Sequence, residues 1–136
     1  MNATSPSSHV VAGFTALVAV AGVAAIWAGV SLALRGPCGW MALVAAIDAA
    51  LLLRLAGLAA GRYRAGVAVT TTVLSILAGI FVVGSVNIGV GFAILPHQAL
   101  WLTGPQLAWT WWQLNTGAWE LLLAALALPL AWKLAR

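Results

Sequence analysis

Few side chains in this sequence can ionise near neutral pH: Asp48, Glu120, His9, His97 and Cys38, beside six Lys and Arg residues. Asp48 is the sharpest of them, because it stands near the middle of the apolar run 40–59. A carboxyl at the centre of a membrane helix costs about 2.5 to 3.5 kcal/mol on insertion scales, and the six Leu, one Val and one Ile of that run, at about −0.3 to −0.6 kcal/mol each, roughly offset it. Such an acid must hold its proton or find donors. Matching depth along the next run puts Thr72 and Ser75 at the same level, and with Gly79 they share one helix face at spacings of three and four. We therefore expect an intramembrane polar site of Asp48, Thr72 and Ser75. Two chemistries suit it. One is interhelical hydrogen bonding worth about 0.6 kcal/mol, and the other is a proton or cation site.

A second group is expected at the opposite end of the runs from the chain termini. Glu120 lies just inside the last apolar run, and Arg35 occupies the one charged loop on that side. The two are expected to pair. Asn87 and His97 fall at a similar level, completing an outer polar cluster of Arg35, Asn87, His97 and Glu120. His9 and His97 begin and follow different runs on opposite sides, so they cannot share one iron, and two separated histidines with one cysteine fall short of a structural zinc set. Cys38, in Gly-Pro-Cys-Gly, has no neighbouring base, and no glycine-rich phosphate loop is present. The expectation is a protein that is not an enzyme, with no catalytic residue, no cofactor and no metal.

These residues must be held by elements that live in lipid. The 136 residues are 64% hydrophobic and 6% charged, with a mean hydropathy of +1.08, where a soluble domain is about a quarter charged. A soluble globular domain is excluded. Hydrocarbon about 30 Å thick needs roughly 20 apolar helical residues. Four stretches qualify, at about 10–34, 40–59, 66–95 and 116–134, the third so long that it must tilt or bend. The fold expected is an all-α integral membrane protein: a four-transmembrane-helix bundle forming a single domain over 1–136, with a Trp-rich interfacial segment, 96–115, between helices 3 and 4. Thr103-Gly104-Pro105 reads as a helix start, giving a short helix from Pro105 to Leu114. Trp40, Trp101, Trp109, Trp111, Trp112 and Trp119 would form an outer aromatic belt or a lid, with Tyr63 and Trp132 at the inner level. Arg62, Arg64, Lys133 and Arg136 on one side against Arg35 on the other place both termini in the cytoplasm, and Arg54 snorkels to the same side. The membrane expected is the cell (inner) membrane. The apolar first run is too long for the core of a signal peptide.

Stripes of small residues recur every four positions: Ala21, Ala25 and Gly29 in the first run, Ala42, Ala46 and Ala50 in the second. Small residues let membrane helices approach closely, and a stripe not used inside the bundle would serve a homo-oligomer or another membrane protein. The pI of 10.8 reflects six bases against two acids rather than a basic patch, so no nucleic acid is expected. In size and span number the chain resembles small multidrug-resistance transporters. Those carry an acid in their first helix, and 10–34 has none, so no residue or activity carries over. The function expected is that of an accessory or partner-binding subunit acting through helix contacts. The alternative is a small oligomeric proton-coupled transporter or channel using Asp48.

Overall fold

A computed structural model describes residues 6–136 as six helices: α1 (Pro6–Leu34), α2 (Met41–Leu55), α3 (Arg62–Gly91), α4 (Pro96–Leu102), α5 (Pro105–Asn115) and α6 (Ala118–Ala135). No strand occurs among the described residues. Three helices, α1, α3 and α6, are long and apolar enough to cross a membrane. The second expected span is shorter than its apolar run. Gly57, at φ 80°, and Gly61, at φ 148°, take backbone conformations that end α2 early and turn the chain into α3, leaving α2 with 15 residues, or about 22 Å. The Trp-rich segment is a pair of helices rather than one, each begun by a proline in its first turn.

Interhelical bonds fix the direction of each helix. His9 meets Tyr63 at one end of the α1/α3 seam and Ser31 meets Asn87 near the other, a nearly constant offset of 54 to 56 residues. The two helices are therefore parallel. In the same way Gly39 meets Glu120 and Arg54 meets Leu134, offsets of 81 and 80, so α2 and the final helix run side by side in the other direction. The described N-terminal end, the α2–α3 turn and the C-terminus all lie at one end of the bundle.

The interior is built of small side chains and the surface of large ones. Ala42, Ala45, Ala46 and Ala49 of α2 are at most 1% exposed, while Phe14, Leu17, Leu55 and Leu114 are 71% or more exposed. Without an apolar drive toward a polar solvent, close backbone approach is what holds such helices together. Three α3 glycines provide it. A Cβ on Gly79 would lie 2.5 Å from the Trp27 ring, one on Gly84 2.7 Å from the Ala108 carbonyl oxygen, and one on Gly89 2.5 Å from Ala99 Cβ. Those contacts seat α1, α5 and α4 on α3 in turn.

The α1–α2 turn is strained and tied down. Arg35 and Cys38 have φ of 54° and 51°, a region that costs a non-glycine residue about 1 kcal/mol. Arg35 ends α1 in a Schellman arrangement, with the Gly36 amide donating to the Ser31 carbonyl at 3.2 Å. The Ser31 hydroxyl donates back to the Gly36 carbonyl at 2.5 Å, and the fully buried Trp27 donates from Nε1 to the Pro37 carbonyl at 2.8 Å.

Candidate functional site

Asp48 lies on α2 at the border between its two faces. Ala45, Ala46, Ala49 and Ala50 are buried against the bundle, Val44, Ile47 and Leu51 are exposed, and Asp48 is half-buried between them. It makes no hydrogen bond or ion pair among the described residues. The expected cluster with Thr72 and Ser75 does not form. Thr72 and Ser75 are fully buried on the inward face of α3; the Thr72 hydroxyl donates to the Ala68 carbonyl of its own helix at 2.8 Å, and Ser75 Oγ has no partner among the described residues. Depth alone placed these residues together. The rotation of α2 about its axis, which sends its alanines inward, turns the carboxyl toward the outer surface.

The four residues of the expected outer cluster are likewise dispersed. Asn87 donates from Nδ2 to Ser31 Oγ at 3.0 Å and to the Val83 carbonyl at 2.8 Å, extending the hydrogen bonds that hold the α1–α2 turn. Glu120 does not pair with Arg35. Its Oε2 instead accepts the Gly39 amide at 3.2 Å, in a space so close that a Cβ on Gly39 would collide with that oxygen. Arg35 and His97 are exposed. Beside Glu120, burial raises the Cys38 thiol pKa, the nearby carboxylate raises it further, and a hydrogen bond with Trp40 works against both. An activated nucleophile needs the opposite shift.

At the other end, basic residues bind backbone rather than acids. Arg54 donates to the Leu134 carbonyl, and the buried Arg64 donates to the carbonyls of Ala135 at 2.6 Å and Leu58 at 3.0 Å. Sequence reasoning assigned these arginines to orientation and snorkelling and missed the bonds. Arg54 stands in the last turn of α2, where cations are favoured, but Arg64 stands in the first turn of α3, and nothing in the sequence points it to the last carbonyls of α6, which lack helical partners. Nor did sequence reasoning single out Trp27, whose ring packs edge-on against Trp112 with centroids 5.7 Å apart.

Of the two small-residue stripes, Ala42, Ala46 and Ala50 are buried within the bundle, whereas Ala21, Ala25 and Gly29 are exposed. A Cβ on Gly29 would meet nothing within 4 Å. No group of three or more His, Cys, Asp or Glu residues with metal-binding geometry occurs among the described residues. No protein-family model, curated protein or solved structure matches this chain.

Proposed function

We propose that the chain is a four-span membrane protein acting through helix contacts as an accessory or partner-binding subunit, with Asp48 as its recognition point. The observation that carries this reading is an unpaired carboxyl at mid-helix on the outer border of α2, beside Val44, Ile47 and Leu51. A carboxyl in that position is costly against lipid and is stabilised by a donor on a neighbouring helix. The partner is a transmembrane helix of another protein carrying a hydroxyl, amide or cation at the same depth. Ala21, Ala25 and Gly29 add a second face open to close approach.

The test is a photo-crosslinking residue in place of Leu51, activated in native membranes. We expect a single adduct with another membrane protein, retained in Asp48→Asn, which keeps hydrogen-bonding capacity, and lost in Asp48→Leu. An adduct of two copies of this chain supports instead the oligomeric, proton-coupled alternative and overturns the accessory reading. The same adduct in Asp48→Leu removes Asp48 from recognition.

A further inference from the structure

A groove runs down the seam between α1 and α3 and has two parts. The upper part, about 460 Å³, opens at the end of the bundle that holds the chain termini and is bordered by His9, Arg62 and Tyr63. The lower part, about 530 Å³, is bordered by Leu17, Val20, Leu77 and Ala78. Gly13, Ala16 and Leu74 line both, so the two form one groove with a polar head and an apolar trough.

Three features give this groove the form of a ligand site rather than a packing defect. The first is its glycines. Gly79, Gly84 and Gly89 are filled by neighbours, but a Cβ on Gly13 or Gly66 would meet nothing within 4 Å. Their missing side chains open space instead of bringing helices together. The second is polarity. His9 Nδ1 and Tyr63 Oη are hydrogen-bonded at 2.6 Å, with the rings edge to face, and whichever of the two donates, one donor of the pair, the His9 Nε2–H or the Tyr63 O–H, remains free. Arg62 is exposed and forms no ion pair among the described residues, and neither Asp48 nor Glu120 borders the groove. Below them the hydroxyls of Thr70 and Thr71 are already committed to the Gly66 and Val67 carbonyls at 2.9 and 2.7 Å, so the trough presents apolar surface. The third is length. From Gly66 to Ala78 the trough follows α3 for about 18 Å, close to the roughly 15 Å of hydrocarbon in one leaflet.

We propose that this seam binds one anionic phospholipid, its phosphate held by Arg62 with the His9–Tyr63 pair and one acyl chain laid in the trough over Gly13 and Gly66. A cation with hydrogen-bond donors at the headgroup level recognises the phosphate and the net negative charge. An apolar channel one leaflet long recognises the chain. The inference rests on α1 and α3 crossing the bilayer and is independent of the reading of Asp48.

The test uses the full chain in mild detergent, offered phosphatidylglycerol or phosphatidylcholine with identical acyl chains, with retained lipid counted by native mass spectrometry. We expect one phosphatidylglycerol per chain, retained at least about fivefold over phosphatidylcholine, the preference carried by one basic residue at a membrane surface. Arg62→Gln, at an exposed and unpaired position, should remove most of that preference without affecting the fold. Gly13→Leu with Gly66→Leu should abolish retention of both lipids, while Gly29→Leu, equally open but outside the groove, should leave it unchanged. Equal retention of the two lipids by the wild-type chain overturns the proposal, as does undiminished retention in the groove-filled variant. Retention of glycerol phosphate without chains would assign the head to a free phosphate and likewise overturn the lipid reading.

Discussion

Glu120 stands in the first turn of α6 and reaches the Gly39 amide just ahead of α2, so one negative charge faces the positive ends of two parallel helices. A pair with Arg35 would have neutralised the charge and left that amide unbound. The same carboxylate acts on the Cys38 thiol. Because the folded chain holds the thiol proton more tightly than the unfolded chain, this group's contribution to stability is complete below the ordinary thiol value and is lost as pH rises through the raised one. Glu120→Gln keeps an oxygen for Gly39 and removes the charge. We expect the pH midpoint of Cys38 alkylation to fall in this variant yet stay above the ordinary value of about 8.5, since burial is the larger cause. An unmoved midpoint would show that the carboxylate does not act on the thiol. The depth of Glu120 was readable from its place in the last apolar run, but its partner was not. Backbone amides and carbonyls carry no mark in a sequence, and Glu120, Arg54 and Arg64 all bind backbone.

Helices announced themselves by composition, but their contacts did not. The C-terminal end of α1 and the position of α5 follow from the end of the apolar run and from Pro105, and both were legible. The inward face was not, because an apolar helix surrounded by lipid has little hydrophobic asymmetry to betray it. Ala21, Ala25 and Gly29 therefore looked equivalent to Ala42, Ala46 and Ala50, yet only the second set is buried. The same blindness to rotation misplaced Asp48. For α5 the decisive contact is Gly84 against the Ala108 backbone, supported by Trp112 on Trp27. A side chain at position 84 meets main chain that cannot swing aside, and such overpacking costs about 1 to 3 kcal/mol. Gly84→Leu should therefore release α5 while α1, α2 and α6 stay packed. Hydrogen exchange at the amides of 105–115 should accelerate by roughly five- to a hundredfold, with those of α2 unchanged. Equal acceleration throughout the bundle would mean that α5 is not a separable layer.

Across the whole molecule, the charges sort by end in a way that bears on how the bundle sits in a bilayer. Arg54, Arg62, Arg64, Lys133 and Arg136 lie at the end that holds both described chain ends, and only Arg35 lies at the other. Two of the five, Arg54 and Arg64, bind the last carbonyls of α6, where the helix dipole favours cations. They would stand there in any orientation. The remaining three still outnumber Arg35, so the expectation from the positive-inside rule, a cytoplasmic location for this end, does not depend on the two bound arginines. The case for α2 as a span rests on its neighbour. At about 22 Å α2 is short for hydrocarbon about 30 Å thick, but its ends are bonded to the matching ends of α6, so if one helix crosses, the other crosses with it. Single cysteines at Arg62 and Arg136, in a Cys38→Ser background, should thus both react with a membrane-impermeant thiol reagent only from the cytoplasmic side, and ones at Arg35 and Gln113 only from the opposite side. Labelling of positions 35 and 62 from the same side would show that α2 does not cross with α6, and would remove the four-span topology with it.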